Sequence, residues 1–186
     1  MAAAATAFDA IAGLLAYPRE GHAARCAELA SAVADVLPGA DLGEFVRFAA
    51  ENDLGACEEL HVRTFDGDPD TALETGWQVF GEQYARGAFL VRLRERMREL
   101  GVEENGELPD HATHVLRLVA RMEPEEAAAL CARALGPSLA RIRKAVGEGN
   151  PYACVLAAAA GAAAEIAPAA PDGAAGRRES IGGMRR

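Results

Sequence analysis

Two histidines three residues apart, His111 and His114, stand in the stretch GELPDHATHV, with Glu107 and Asp110 just before them. On a helix that spacing places two imidazoles on successive turns, where they could share a metal ion with a carboxylate as third ligand. The helical wheel argues against such a site. Ala112, Val115, Leu116, Val119 and Ala120 form one apolar stripe, whereas Asp110, His114, Arg117 and Arg121 follow another face. The two histidines are therefore expected to border solvent or a groove, and no other histidine or cysteine lies near them in sequence to complete a ligand set. A catalytic acid–base pair would need a pocket and a substrate pose, and His61 could complete one only if the fold brought it close. The simpler reading is a helix start. Pro109 suits the first helical position, where its missing N–H is not needed, and Asp110 suits the positive end of the helix dipole, with Arg117 and Arg121 toward the negative end. That reading accounts for the proline and the aspartate and leaves both histidines over.

A second acidic group, RTFDGDPD, sets Asp66, Asp68 and Asp70 at alternate positions, as the first ligands of a calcium loop would be. Position six of that loop is Thr71 instead of glycine and position twelve is Trp77 instead of an acid, so a turn with a capping carboxylate fits better. The sequence has no Ser-His-Asp order, glycine-rich phosphate loop or dinucleotide fingerprint in the required context. Cys26, Cys57, Cys131 and Cys154 are widely spaced, unlike zinc ligands, and read as reduced packing residues. The expectation is a protein that is not an enzyme and holds no metal or cofactor of its own.

The elements that must position these residues read as helices throughout. The chain has 186 residues, 51% of them hydrophobic but only 5% aromatic, and alanine dominates the apolar count. This favours one all-α domain of close-packed helices, a helical bundle over residues 1–166. Helices are expected over 4–16, ending before Pro18, and 20–37, ending at a Pro-Gly pair. Asp41 and Asp53 can cap the next two, the second reaching Phe65. Residues 70–100 are helical in pattern but carry Gly76, Gly81 and Gly87, so breaks or close backbone contacts are expected there. Gly101 can end that segment, and Arg92, Arg94, Arg96 and Arg98 read as its solvated face with Glu95 and Glu99 as partners. Further helices are expected over 109–122, 124–135, 137–147 and 151–166.

The net charge is −9, but residues 167–186 hold four arginines against Asp172 and Glu179, which leaves the rest of the chain at −11. An acidic body disfavours nucleic acid and suits a cationic peptide or basic protein surface. The tail, with Ile181 as its single branched apolar residue, is too polar to fold and is expected to be disordered. No basic segment precedes the first apolar residues, and the longest apolar run, 153–164, is shorter than the roughly 20 residues a membrane span needs. A cytoplasmic protein without membrane insertion is expected.

Five segments in order carry more information than any one of them: LLAYP at 14–18, RTFD at 63–66, FGEQYARGAFLVRLRERMRELG at 80–101, ELPDHATHVL at 107–116 and NPYACVL at 150–156. Together they resemble the NarJ/TorD/DmsD family of redox-enzyme maturation chaperones, and most of all its NarJ branch. The resemblance implies an all-helical cytoplasmic chaperone, a monomer or weak dimer. It would bind the amino-terminal peptide of a molybdoenzyme catalytic subunit and assist insertion of the molybdenum cofactor before membrane docking or export. It places Glu107, Leu108, Pro109, Asp110 and His111 in the peptide-binding or hinge region, with Thr64, Phe65 and Asp66 supporting them and Tyr84, Arg86 and Gly87 on the adjoining helix. Asp66, Glu107 and Asp110 would attract basic residues of the partner, and His111, with an ordinary pKa near 6.5, would make affinity pH-sensitive. The chain departs from the family pattern in three places. His61 replaces an aromatic residue before the TFD triplet, Ala112 replaces a bulky residue, and Leu116, Arg117, Leu118 replace LEF. These departures leave open whether the client is nitrate reductase or a relative acting on another small substrate. Two other readings share the helical fold: a metal or cofactor carrier using Glu107, His111 and His114, and a permanent accessory subunit of a membrane oxidoreductase.

Overall fold

The computed structural model describes residues 2–167; of the tail expected over 167–186, all but Ala167 lies outside the described residues. The described residues form an all-α fold. Its helices are α1 (Ala2–Leu14), α2 (His22–Ala34), α3 (Gly43–Glu51), α4 (Leu54–Phe65), α5 (Thr75–Phe80), α6 (Tyr84–Leu100), α7 (Ala112–Val119), α8 (Pro124–Leu130), α9 (Gly136–Val146) and α10 (Tyr152–Ile166). Among the described residues no strand forms, and one isolated antiparallel bridge joins Glu74 to His111.

Local chemistry sets several boundaries where the sequence places them. The Asp53 carboxylate accepts the Ala56 N–H at 2.8 Å and caps α4, whereas Leu42 is the N-cap of α3 and Asp41, one residue earlier than a cap, accepts the Gly43 N–H at 2.9 Å. Gly101 closes α6. The segment 70–100 does break: Gly81, at φ +57, adopts a conformation closed to most side chains and separates α5 from α6. Gly87 differs, since a side chain there would meet open space.

Three other expectations are corrected. Residues 124–147 form one continuous run, because a π-helical turn at Cys131–Leu135 joins α8 to α9. Pro137 lacks an N–H and its ring would crowd the carbonyl four residues back; the widened turn just before it relieves both problems. On α6, Arg96 pairs with Glu99 as expected but also with Glu126, and Arg94 pairs with Glu104 at 2.8 Å in place of Glu95, so two of the arginines also reach loop 101–111 and α8. Finally, α7 begins at Ala112 instead of Pro109 and ends at Val119.

α1, α7 and α10 carry the core. Ile11, Leu14, Leu15, Leu116, Leu118, Leu156 and Ala159 are fully buried, and α1 packs on α2, α7 and α10. Alanines along α1 and α10 let the helix axes approach closely, burying apolar surface with little loss of side-chain entropy. α7 is enclosed by α1, α6, α8 and the π turn. It therefore buries Thr113, His114 and Leu118 as well as Ala112, Val115, Leu116 and Val119 of its predicted stripe, while Ala120 caps the helix half-buried.

Candidate functional site

The late start of α7 has a tertiary cause. Pro109 and Asp110 turn the chain, and residues 110–112 then run alongside 73–75. The Thr75 N–H and hydroxyl both donate to the Asp110 carbonyl, at 2.7 and 2.8 Å, and the Ala112 N–H donates to the Leu73 carbonyl at 2.8 Å. These bonds satisfy backbone groups that a helix starting at Pro109 would have committed elsewhere. The Asp110 carboxylate is fully buried and takes the Arg86 guanidinium at 3.1 Å. Gly76 makes this possible, because a Cβ there would stand 2.6 Å from the same carboxylate oxygen and 3.0 Å from the Phe89 ring. Asp110 therefore ties α6 to α7 from inside and does not present its charge to a partner.

His111 is the N-cap of α7. Its Nδ1 accepts the Thr113 N–H at 3.4 Å and lies 2.8 Å from the Thr113 hydroxyl, which leaves the ring proton on Nε2. Burial, with His114, His61 and Arg117 nearby, lowers its pKa to about 3, so the ring is neutral and does not titrate near 6.5 as expected from its ordinary value. His114 was expected at the surface and is fully buried. Its Nδ1 donates to the Leu108 carbonyl at 2.9 Å, and its Nε2 lies 2.8 Å from the Asn105 amide oxygen. The Nδ1–H bond thus ties His114 to the loop before α7, with the Asn105 side chain packed against its Nε2. Among the described residues no group of three or more histidines, cysteines or acids gathers as a metal site.

The TFD triplet is positioned by α10. The Thr64 hydroxyl donates to the Leu60 carbonyl at 2.6 Å and accepts from the Asn150 amide at 2.9 Å, while the Asn150 side-chain oxygen accepts the Tyr152 N–H at 2.9 Å. Tyr152, fully buried, meets Phe65 and Phe45 at 4.8 Å and His61 at 5.8 Å between ring centroids. His61 also packs against Phe65 and Tyr17, at 5.1 and 5.3 Å. An imidazole thus occupies the aromatic position that the family pattern fills with a larger ring. Burial lowers its pKa, and its Nε2–H donates to the Leu15 carbonyl at 3.2 Å.

These pieces meet at a groove with two adjoining chambers. One, of about 420 Å³, lies toward α2 and α7; the other, of about 330 Å³, lies toward the end of α4 and the start of α5. Tyr17, His61, Glu107 and His111 line both. Phe65 and Asp66 line the smaller chamber, with Glu74, whose carboxyl is raised by burial and by Asp110 and Glu107 nearby. Leu108 is 46% exposed, next to Glu107, while Pro109 is buried. Thr64 and Asp110 stand behind the walls, and Tyr84, 94% exposed, lines neither chamber. Tyr17, Glu74, Arg117 and Asn150 were not among the expected site residues. The motifs LLAYP and NPYACVL contained two of them, but not what they touch.

The fold and groove define a class: an all-helical protein with a polar, aromatic-walled surface groove assembled from segments distant in sequence. The family follows from comparison. A sequence model described as nitrate reductase delta subunit matches residues 21–148, from α2 through α9, and the chain belongs to that family of NarJ-type assembly chaperones. No curated protein sequence matches the chain.

Proposed function

We propose that the protein is an assembly chaperone whose groove binds the amino-terminal segment of a molybdopterin oxidoreductase catalytic subunit, with nitrate reductase the client its family points to. It holds that segment while the molybdenum cofactor is inserted and so delays membrane docking or export until loading is complete. The observation that carries this reading is the convergence of Tyr17, His61, Glu107 and His111, from four segments of the chain, on one groove. Tyr17 lines the groove and is 44% exposed, and Leu108, exposed and next in sequence to Glu107, adds apolar surface suited to the apolar face of an amphipathic helix. Asp66 and Glu107 supply negative charge to a basic partner. Asp110, His111 and His114 keep the walls in place. Among the described residues no helix is long and apolar enough to cross a membrane.

Titration calorimetry with a synthetic amino-terminal peptide of the cofactor-free nitrate reductase catalytic subunit tests the reading. Replacing Tyr17 and Glu107 together by alanine should weaken binding by about tenfold or more, the loss expected when an aromatic anchor and a charged contact are removed from one site. Affinity unchanged in that folded variant would overturn the assignment of the groove.

A further inference from the structure

The two chambers differ in charge. Asp66, Glu74 and Glu107 line the smaller one, and among the described residues no arginine or lysine does. Arg19, Arg25 and Arg117 line the larger one, against Glu20 and Glu107. Arg86, which also lies near Glu74, is committed to Asp110 at 3.1 Å. The acids of the smaller chamber are therefore left without a cation of their own, and a second cation entering next door would face arginines.

His61 gives an independent indication of what is missing. The residue is 5% exposed, and because its Nε2–H donates to the Leu15 carbonyl, its Nδ1 carries a lone pair. That nitrogen is buried without a partner, in a ring that walls both chambers. Buried acceptors are rarely left unanswered in native proteins. An acceptor beside uncompensated carboxylates calls for a cationic donor.

We propose that the smaller chamber seats one arginine side chain of the client segment, its guanidinium bonded to Glu107 and its acidic neighbours and donating to Nδ1 of His61. Arginine suits the place better than lysine for two reasons. Its planar fork carries five N–H donors that can meet acceptors on several sides at once, and its flat face can stack on the aromatic ring of Tyr17. The arginines of the larger chamber then fix which position along the segment can hold the cation. This rests on the groove being the client site, as proposed above.

The test uses the full chain and the same synthetic amino-terminal peptide, with each arginine replaced in turn by citrulline, its neutral isostere, or by lysine. One citrulline replacement should weaken binding to the unaltered chaperone by about tenfold, and that loss should shrink to about twofold or less with Glu107→Gln or His61→Phe, as coupled partners require. Phenylalanine keeps a ring in the aromatic box and removes the acceptor together with the Nε2–H bond to the Leu15 carbonyl, so Glu107→Gln, which leaves that bond in place, is the control. Nitrogen NMR of the His61 imidazole, which needs no variant, should show Nδ1 accepting a hydrogen bond when the unaltered peptide binds and not when the critical citrulline peptide binds. Peptides that bind and respond to loss of Tyr17 and Glu107, yet are indifferent to every arginine replacement, would overturn the arginine seat alone. Equal affinity for the lysine peptide would overturn the preference for a guanidinium. A complete absence of binding would overturn the client reading together with this one.

Discussion

At the start of α7, Asp110, His111 and His114 are buried and largely answered by their own surroundings, a guanidinium, a threonine and a loop carbonyl, with only Oδ1 of Asp110 left without a partner. Across the groove, His61, Glu74 and Glu107 are the same residue types with less to meet. Nδ1 of His61 has no partner and Glu74 sits among acids. The first group fixes a shape and the second leaves interactions unmade on that shape. The most recognisable part of the ELPDH motif is therefore architectural. Residues with polar groups still free to interact stand beside it, in positions that by type alone look ordinary.

The largest expected effect breaks the first group. Arg86→Ala leaves the fully buried Asp110 carboxylate without its cation and should destabilise the protein by about 3–5 kcal/mol, the range found when one member of a buried pair is removed. Asp110→Ala should cost less, about 1–2 kcal/mol, because the Arg86 side chain is 22% exposed and can turn its charge to water. Urea unfolding of both variants gives the comparison. Equal losses would mean that Asp110 is not the desolvated partner its burial indicates.

Acid should act on the same group next. His111 is neutral in the fold with a pKa of about 3, while in the unfolded chain it takes a proton near pH 6.5. As pH falls below about 6.5 the unfolded state binds the proton first. The stability that neutral His111 contributes is whole above that pH and declines toward pH 3, by up to about 1.4 kcal/mol per pH unit. His61 and His22, both lowered by burial, add in the same direction. His111→Asn keeps a capping side chain and removes the titration, so its unfolding free energy should fall less steeply between pH 6.5 and 4.5. Parallel curves for the two proteins would show that His111 does not carry the effect.

Why the sequence disclosed helices and not this partition follows from where each partner lies. The Asp53 cap, the break at Gly81 and the end of α6 at Gly101 depend on residues a few positions apart, and all were legible. The wheel for α7 assumed one buried face, but α1, α6, α8 and the π turn surround that helix, so His114 turns inward with Val115. The pairs that define the groove, Glu74 with His111, Arg86 with Asp110, Thr64 with Asn150 and His61 with Leu15, join residues more than twenty positions apart. No local pattern encodes them. The family resemblance named Phe65, Asp66, Glu107 and His111, which line the groove, yet it grouped Tyr84 with Glu107 and treated His61 as a departure.

The smallest expected effect sharpens that last point. Tyr84 begins α6 with its side chain in solvent, and Tyr17 lies at the groove with its ring 5.3 Å from that of His61. If motif membership governed binding, Tyr84→Ala and Tyr17→Ala would weaken the client peptide alike. If the groove governs it, Tyr84→Ala should leave both stability and peptide affinity within about 0.5 kcal/mol of the unaltered protein, as an uncommitted surface residue does, while Tyr17→Ala loses an aromatic anchor. Thermal unfolding and calorimetry on the pair decide between them. A clear affinity loss at Tyr84 would extend the binding surface along α6, toward Val91, which is also exposed, and away from the chambers.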